Sequence, residues 1–352
     1  MHTKGPAAAT SDSDPPCNAE LIRDPIAWDE LVQSHPHAGF MQSAGWGYFR
    51  RHLGWSPYRL CLQDPDRASA PAAQVLFRRV PKYNPFTIGY LPRGPLLDYS
   101  RDDQVAAMLQ ALDRLARRVR AVVIIWELPV AYDPTLAARL QRLGLRPAKP
   151  IQHTSTRVLD LTPSLEEIQA GWKPKWRYNT RLAAKHGVQV RHASSPDDLA
   201  RWHDLYLATC ARDHFVGRGA DYFRRFWERG RATGDTVLLL AEHADTLLAG
   251  IMVHQFGREA TYLYGADGRE SRQLMPNYLL QWEALQWAKS RGATRYDLFG
   301  IADTDDEHEP LAGVSRFKAG YGGEAIHYAG AYARVYHPLL YAALQRMRSE
   351  LA

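Results

Sequence analysis

Apolar and polar residues alternate along the first half of the chain with periods that predict both helices and strands. An amphipathic helix is predicted over Asp102 to Arg118, because Val105, Met108 and Leu112 recur at helical spacing. A buried strand, Ala121 to Leu128, follows this helix directly. The other predicted helices are Pro25 to Ser34, Ser43 to His52 and Pro134 to Leu143, and the other strands are Pro57 to Gln63, Ala72 to Val80 and Phe86 to Leu91.

The second half repeats this order of elements. Three strand-like segments are followed by a helix with proline in its first turn, and then by a strand, a helix and a strand. These segments are Thr236 to Glu242, Thr246 to Phe256, Arg258 to Gly265, Pro276 to Ser290, Arg295 to Ile301, Val314 to Ala319 and Ala325 to Val335. This is the order of a GNAT (acyl-CoA N-acyltransferase) domain. The repeat therefore predicts an α/β (α+β) protein of two tandem GNAT-like domains, with mixed sheets flanked by helices.

The composition is that of a globular protein with basic character. Hydrophobic residues make up 45% of the 352 residues and charged residues 23%, which suits a chain with a sizeable core. No apolar run reaches the length of a membrane span, and residues 1–18 lack the apolar core of a signal peptide. We therefore expect a cytoplasmic protein with a disordered tail over residues 1–18. The net charge of +6 favours anionic partners such as nucleic acid, nucleotides or an anionic lipid surface.

Several common catalytic signatures are absent from the sequence. It contains no GxSxG elbow, P-loop, GxGxxG fingerprint or HExxH pair, and its three cysteines show no CxxC spacing. We therefore expect no metal site. Where a GNAT domain grips the coenzyme A diphosphate with a glycine-rich turn, this chain has Asp98 to Gln104 and Arg272 to Asn277, both without glycine. The acyl donor is therefore predicted to be something other than coenzyme A, and no cofactor is expected.

The segment 172–187 is predicted to form a helix with one basic stripe. Lys173, Arg177, Arg181 and Lys185 lie four residues apart, and their repulsion costs roughly 1 kcal/mol unless an anionic group lies opposite. Two tryptophans and a tyrosine interleave the stripe. Two interpretations remain open, namely a solvated basic face with aromatic core anchors, or a surface that contacts nucleotide or RNA.

Two irregular segments hold charged and aromatic residues in fixed surroundings. The loop 90–99, YLPRGPLLDY, is stiffened by two prolines and fixes the directions of Arg93 and Asp98, either for binding a ligand or as an internal ion pair. In the segment 212–222, RDHFVGRGADY, glycines flank Arg218 and Tyr222 follows four residues later. That segment is either a ligand-binding loop or a plain connection between helices.

A third segment, 316–323, has the sequence RFKAGYGG. It places Lys318 beside Phe317 in a stretch that is closed by glycines. A lysine in this position can meet a phosphate or a developing oxyanion as a point charge. A surface lysine is the alternative interpretation.

Taken together, these segments resemble the Fem aminoacyltransferases, which are also called lipid II:glycine glycyltransferases or peptidoglycan bridge-forming enzymes. The resemblance covers nearly the whole chain after residue 18. Its blocks, in the family's order, are FMQSAGWGYFRRHLGW (residues 40–55), YLPRGPLLD, KPKWRYNTRLAAKHGV, RDHFVGR, YLYGAD (residues 262–267), LMPNYLLQWEALQWAKSRGATRYDLFGI and SRFKAGYGG. The stretch 195–231 is short and has no sustained heptads, so the chain resembles the compact members without a coiled-coil arm.

The resemblance implies a fold, a donor and an acceptor. The two GNAT-like domains would be residues 19–150 and 151–319, with the chain end, about 320–352, completing the first. The donor would be an aminoacyl-tRNA, with neither coenzyme A nor a metal. The acceptor would be the stem peptide of a peptidoglycan precursor, either UDP-MurNAc-pentapeptide or lipid II, in cell wall biogenesis and the maintenance of cell shape. Peripheral contact with the inner face of the membrane is a further expectation.

The resemblance also implies which residues bind the acceptor. The residues that fall where the family holds substrate phosphates are Arg50, Arg218 and Tyr222. The residues that fall near the stem peptide are Tyr90, Asp98 and Tyr264. Arg50 stands where the family pattern has a lysine, which keeps the charge and changes the hydrogen-bonding geometry.

Lys318, which follows Phe317, falls where the family has a lysine that stabilises the transition state at the aminoacyl end of the tRNA. Asp98 is the candidate general base, or the group that orients the attacking amine. The further residues that we expect to bind substrate are Arg93, Arg177, Arg181 and Phe317. Two other functions remain open, namely tRNA-dependent transfer to another small-molecule, peptide or protein acceptor, and a non-catalytic module that binds tRNA or a membrane surface.

Overall fold

A computed structural model describes residues 19–64, 69–268 and 272–349, and the expected tail over residues 1–18 lies outside this described part. The helices are α1 (Pro25–Ser34), α2 (Ala44–Arg51), α3 (Asp102–Arg118), α4 (Pro134–Arg142), α5 (Leu165–Ala170), α6 (Pro174–Lys185), α7 (Pro196–Asp213), α8 (Ala220–Thr233), α9 (Pro276–Ser290), α10 (Ala312–Ala319) and α11 (Pro338–Ser349). The strands are β1 (Ala19–Leu21), β2 (Ser56–Leu62), β3 (Ala72–Arg79), β4 (Thr87–Leu91), β5 (Ala121–Glu127), β6 (Arg146–Ala148), β7 (Ser155–Asp160), β8 (Gln189–His192), β9 (Thr236–His243), β10 (Thr246–Phe256), β11 (Glu259–Asp267), β12 (Arg295–Gly300), β13 (Glu324–His327) and β14 (Ala331–Val335).

These strands form two mixed sheets with the same internal order. The first sheet runs β1-β2-β3-β4-β5-β14-β6, and the second runs β8-β9-β10-β11-β12-β7-β13. In each sheet the fourth and fifth strands are parallel, and every other neighbouring pair is antiparallel. The two sheets are therefore copies of one topology, and the predicted α/β fold with two mixed sheets is confirmed.

The two sheets exchange strands at the sixth position. The sixth strand of the first sheet is β14, from the C-terminal part of the chain, and the sixth strand of the second sheet is β7. The chain therefore crosses from the edge of the first sheet into the second through residues 149–154, and it returns through residues 328–330. These two crossing segments lie side by side, since the Tyr328 N–H donates to the Thr154 carbonyl at 2.8 Å.

The prediction of one strand over Ala325 to Val335 is wrong, because this segment forms β13 in the second sheet and β14 in the first. Gly330, with a φ of +82°, turns the chain between the two strands. The other predicted helices and strands agree with the structure to within two residues at each end. The strands β1, β6, β7 and β8 were not predicted. Of these, β1, β6 and β8 have only three or four residues, which is too short for a periodic pattern.

Each sheet packs against its own helices. In the first half, Val105, Met108 and Leu112 of α3 are buried against the sheet, as their helical spacing predicts. In the second half, α9 buries Leu280 and Leu285 in the same way. These faces form separate cores for the two halves.

A third hydrophobic cluster joins the two halves. It packs Trp46 and Phe49 of α2 against Trp202 of α7 and Phe226 of α8. The rings of Phe49 and Phe226 meet edge to face, with their centroids 5.2 Å apart. Because aromatic side chains bury large areas in specific geometries, this cluster fixes α2 of the first half against α7 and α8 of the second.

The helices of the second half stay short. α7 has 18 residues and α8 has 14, and no coiled-coil arm occurs in the described part of the chain. Within the described ranges, no helix combines the length and the apolar character that crossing a bilayer requires.

The returning strand β14 is anchored to α3 by an ion pair. Arg334 donates from Nε and Nη2 to the two carboxylate oxygens of Asp113, at 3.1 and 2.8 Å. The Tyr336 hydroxyl donates to the same carboxylate at 2.7 Å. The side chains of Arg334 and Asp113 are only 26% and 14% exposed, so solvent screens the pair weakly.

We predict that Asp113→Ala lowers the free energy of unfolding by about 3 kcal/mol, because it leaves a largely buried guanidinium and a hydroxyl without their acceptor. Urea unfolding followed by circular dichroism measures this loss. Glu228→Ala is the control, since it breaks an exposed pair with Arg224 on the surface of α8 and should leave the unfolding midpoint nearly unchanged. An equal loss in both variants would contradict the anchoring role of Asp113.

Candidate active site

Four predicted binding residues come together where α2 meets α8 and β11. We call them the anion cluster: Arg50, Arg218, Tyr222 and Tyr264. Tyr222 and Tyr264 share a hydrogen bond between their hydroxyls of 2.8 Å, and the Arg218 guanidinium lies 5.6 Å from the Tyr222 ring centroid. Burial lowers the pKa of Arg50, and the other three residues are near enough to act on it electrostatically. Side chains from three distant parts of the sequence therefore share one place.

Arg50 is held by aromatic rings. Its guanidinium lies 5.5 Å from the ring of Trp46 and 5.1 Å from the ring of Trp55. The buried Nε of Arg50 has no hydrogen-bond partner among the described residues. Neither Arg50 nor Arg218 forms an ion pair within the part of the chain that the structure describes. Two unpaired guanidiniums beside two phenols are suited to bind an anion such as a phosphate.

The strands β11 and β12 separate next to this cluster. They pair only over their first three residues, as far as Thr261 and Asp297, whereas β4 pairs with β5 along its whole length. A β-bulge in β11 directs Tyr262 into the core of the second half and Tyr264 into the aromatic cluster between the halves. The gap between β11 and β12 therefore lies beside both of these environments.

Lys318 lies on α10 beside this gap and is only 6% exposed. Its Nζ donates to the carbonyl oxygens of Gly300, at 2.6 Å, and Phe299, at 3.1 Å, on the unpaired end of β12. The same Nζ lies 5.5 Å from the ring centroid of Tyr262. Burial lowers the pKa of Lys318 to about 7, and the negative charge of Asp297 opposes this change. Lys318 can therefore exchange a proton near neutral pH.

Two acidic residues on the paired ends of β11 and β12, Glu259 and Asp297, were not predicted as site residues. Asp297 is buried and accepts hydrogen bonds from the Thr156 hydroxyl and from the Phe299 N–H, the latter at 2.7 Å. Glu259 accepts from Arg295 at 3.2 Å, and burial together with the charge of Asp297 raises its pKa to about 7. The sequence signal for Asp297 was a charged residue inside the otherwise apolar strand YDLFGI.

Arg93 binds both crossing segments of the chain. Its Nη2 donates to the carbonyl of His153 at 2.8 Å, and its guanidinium lies 3.6 Å from the ring centroid of Tyr328. The charge of Arg93 also acts on Asp297 and Glu259. The internal ion pair with Asp98, which the sequence left open for Arg93, does not form.

Tyr90 is buried under the anion cluster. Its hydroxyl donates to Glu127 in a short hydrogen bond and accepts from the Gln152 side chain at 3.1 Å. Glu127 also accepts from the N–H groups of Ile151 and Gln152, at 2.5 and 2.8 Å, in the first crossing segment. Tyr90 therefore links the buried side of the anion cluster to the first crossing segment through Glu127.

Asp98 is exposed and stands apart from the other candidate residues. Its carboxylate accepts from the N–H and hydroxyl of Ser100, at 2.8 and 2.6 Å. Within the described ranges it shares no hydrogen bond or ion pair with the anion cluster or with Lys318. The structure therefore brings together most of the candidate residues and leaves Asp98 outside their contacts.

The predicted basic helix is α6, and its stripe contains Lys173, Arg177, Arg181 and Lys185. Arg177 donates to the carbonyls of Ala170 and Trp172 at the end of α5, so it also has a structural role. The other three are exposed, and no member of the stripe pairs with a carboxylate in the part of the chain that the structure describes.

This basic helix packs directly against α10. The Trp176 indole N–H donates to the carbonyl of Phe317, the residue before Lys318, at 2.9 Å. A side chain at Gly320 would collide with the Trp176 ring, so the close approach requires glycine there. The basic stripe and Lys318 therefore belong to one rigid unit.

A cavity of about 410 Å³ lies elsewhere, between α1 and α2. The candidate residues do not line it. At the positions where a coenzyme A diphosphate would bind, α3 begins with Asp102 and Asp103, and α9 begins with Pro276. Two carboxylates at a helix N-terminus repel a diphosphate, and a proline removes one of the N–H donors that would bind it.

The sequence matches the FemAB family over residues 27–135, 134–242 and 238–349. A lipid II:glycine glycyltransferase of Staphylococcus haemolyticus (strain JCSC1435) is 24% identical over 397 residues, which cover 92% of this chain and 94% of that protein. A lipid II:glycine glycyltransferase of Staphylococcus aureus (strain bovine RF122 / ET3-1) is 24% identical over 399 residues, with the same coverage.

Solved structures show the same fold. A crystal structure of FemX superposes with a TM-score of 0.81 at 23% identity, over 92% of this chain and 99% of that one. A tandem GNAT protein from the clavulanic acid biosynthesis pathway gives a TM-score of 0.51 at 15% identity, over 80% of this chain and 83% of that one. The predicted tandem GNAT-like fold is thereby confirmed. Because the family match spans most of the sequence, this chain belongs to the FemAB family and is an acyltransferase.

Proposed function

We propose that this enzyme moves an amino acid from an aminoacyl-tRNA onto an amine in the stem peptide of a peptidoglycan precursor. The observation that carries the proposal is Lys318, a buried lysine held by two backbone carbonyl oxygens beside the gap between β11 and β12. The similarity to lipid II:glycine glycyltransferases supports a peptidoglycan precursor as the acceptor.

The anion cluster suits the diphosphate that UDP-MurNAc-pentapeptide and lipid II have in common. Arg50 and Arg218 supply two positive charges, and the hydroxyls of Tyr222 and Tyr264 can add hydrogen bonds. Asp98 is exposed, so a cationic group of the stem peptide can reach it, and we assign it to orienting the attacking amine.

The reaction is the aminolysis of an ester. The amine nitrogen attacks the ester carbonyl carbon, so a C–N bond forms and the carbonyl oxygen becomes an oxyanion. The bond from this carbon to the ribose oxygen of the tRNA then breaks, and the proton lost by the amine goes to that oxygen. Two N–H groups of the Lys318 ammonium donate to Phe299 and Gly300, which leaves the third to stabilise the oxyanion.

The basic helix α6 supports a tRNA as the donor. Its exposed stripe includes Arg181 and Lys185, and Trp176 ties the helix to Phe317 and so to Lys318. A tRNA backbone bound along this stripe would have its phosphates neutralised close to the helix that bears Lys318. The acidic first turn of α3 and the proline that begins α9 disfavour coenzyme A as the donor.

The direct test is incubation with a mixed pool of charged tRNAs and a panel of acceptors, read by mass spectrometry. The mass added would identify the amino acid and the acceptor together. Transfer only to an acceptor other than a peptidoglycan precursor would replace the acceptor in this proposal. Tight tRNA binding without any transfer would favour the non-catalytic module instead.

We predict that Lys318→Ala lowers turnover at least tenfold, because one oxyanion donor contributes about 3 kcal/mol in measured cases. Precursor affinity should survive, since the anion cluster is intact. Lys289→Ala is the matched control, because its ammonium also donates to backbone carbonyls, those of Leu161 and Pro163, at 2.6 Å, yet lies on α9 outside the candidate site. Turnover near that of wild type in Lys318→Ala would remove Lys318 from the mechanism.

The pH profile should also depend on Lys318. Attack requires a neutral amine, whose fraction grows about tenfold per pH unit up to its pKa of about 10. The protonated fraction of Lys318 falls by the same factor above its pKa of about 7. We therefore predict that wild-type kcat/KM rises with pH and levels off near pH 7, whereas the residual activity of Lys318→Ala keeps rising. Rate measurements from about pH 5.5 to 8.5 test this, and levelling in both enzymes would refute the role of Lys318.

We predict that Arg181→Glu with Lys185→Glu weakens tRNA binding at least tenfold, because two phosphate contacts are replaced by repulsion. The slope of log Kd against the logarithm of the salt concentration should decrease by about two, one for each lost phosphate contact. Arg142→Glu with Lys149→Glu, two exposed positions in the first half, makes the same change in net charge and serves as the control. Equal weakening in both double variants would mean that overall charge, and not α6, attracts the tRNA.

A further inference from the structure

The backbone around Lys318 has an unusual conformation at one residue. Phe299 has a φ of +60°, in the left-handed region that bulky side chains rarely adopt. From Arg295 to Asp297, β12 is an ordinary strand that pairs with both β11 and β7. Something must therefore hold Phe299 in this conformation, because left-handed backbone at a non-glycine residue persists only where its surroundings enforce it.

The Asp297 carboxylate enforces this turn. Its Oδ1 accepts the N–H of Phe299 at 2.7 Å and the hydroxyl of Thr156 on the neighbouring strand β7. Just beyond the turn, the carbonyls of Phe299 and Gly300 point at the Lys318 ammonium, at 3.1 and 2.6 Å. One buried carboxylate thus fixes the backbone that fixes the lysine.

We propose that Asp297 is a positioning residue for Lys318: Asp297 holds the 299–300 turn in place, and its negative charge favours the protonated form of the buried amine. The catalytic consequence of this inference rests on the proposed function of Lys318. The structural part, which concerns the turn and the charge of the lysine, does not depend on that function.

Among the groups that face Lys318, Asp297 is the acidic residue whose charge acts on it. Burial lowers the pKa of Lys318, and Asp297 raises it. Tyr262 on β11 stays neutral because burial raises its pKa. Desolvation and the charges of Lys318 and Arg93 lower the pKa of His153, so that imidazole is neutral at pH 7. Removing the charge of Asp297 should therefore make Lys318 lose its proton at lower pH.

The first experiment measures the proton on Lys318 without any assay of activity. The pKa of Lys318 is about 7 in the folded protein and about 10.4 in the unfolded chain. The unfolded chain therefore binds more protons between these values. The stability of wild type relative to Lys318→Met should then rise with pH above about 7 and be flat below it.

The difference in stability caused by Lys318→Met is then measured again as a function of pH, with Asp297→Asn present in both proteins. This variant keeps an oxygen that can accept from Phe299 and Thr156, but it removes the charge. We expect the onset of this rise in stability to move to lower pH by about one unit, in keeping with the loss of one nearby opposite charge. Glu259→Gln is the control, because it removes a carboxylate that has no hydrogen bond to the turn, and the onset should stay near pH 7. An unchanged onset in Asp297→Asn, or an equal shift in Glu259→Gln, would overturn the proposal.

The second experiment is the pH profile of transfer. In Asp297→Asn the levelling of kcat/KM should move to lower pH by the same amount as the onset of the stability rise. A purely structural defect would lower the rate at every pH and leave the levelling point in place, which would also overturn the proposal. If Lys318→Ala proved fully active, the proposed catalytic role of Lys318 would fail, while the stability measurement would still decide the relation between Asp297 and Lys318.

Thr156→Val covers the case in which Asp297→Asn does not fold. Losing the Thr156 hydroxyl removes one hydrogen bond that favours the ionised form of Asp297. The onset should therefore shift in the same direction by a smaller amount. If Asp297→Asn does not fold and the onset does not shift in a folded Thr156→Val protein, the proposal is overturned.

Discussion

The structure depends on the two places where the chain crosses between the sheets. Each sheet takes its sixth strand from the chain that has just left the edge of the other sheet, so the crossing segments 149–154 and 328–330 must lie side by side. Arg93 binds one crossing through the His153 carbonyl and the other through the Tyr328 ring. Glu127 binds two backbone N–H groups of the first crossing. Charged groups at the centre of the molecule therefore serve first to join the halves, and the candidate site is built on that junction.

This arrangement brings charged and aromatic residues of both halves into one cluster. Arg50 comes from the first half and Arg218, Tyr222 and Tyr264 from the second, and the aromatic cluster between the halves keeps them in contact. A hinge between the halves would separate Arg50 from the others, but two chain crossings and a shared core oppose such a motion. The anion cluster is therefore preorganised, which lowers the entropy lost when a charged ligand binds.

Much of the fold could be predicted from the sequence, because long elements such as α3 and β10 carry strong periodic patterns. The split of 325–335 into two strands could not be predicted, since both parts are extended and only tertiary pairing assigns them to different sheets. At the site, charged residues in glycine-rich or proline-rich segments drew attention to Arg93, Arg218 and Lys318. Sequence reasoning passed over Asp297 and Glu259, because the importance of a carboxylate inside a strand depends on what faces it. Asp98 was singled out by its rigid loop, but the loop turns it towards solvent.

The two sheets have one topology, yet only the second opens between its parallel strands. In the first sheet β4 stays paired with β5 along its length, which leaves no room for a ligand there. In the second sheet the pairing ends at Asp297, and the left-handed turn at Phe299 carries β12 away from β11. The bulge in β11 then sends Tyr262 towards Lys318 and Tyr264 towards the arginines, although only one residue separates the two tyrosines. Strand residues two apart are about 7 Å apart. The two tyrosines therefore place the gap between the arginines of the anion cluster and Lys318, and the residue that ends the strand pairing, Asp297, is the same residue that holds the turn beside Lys318.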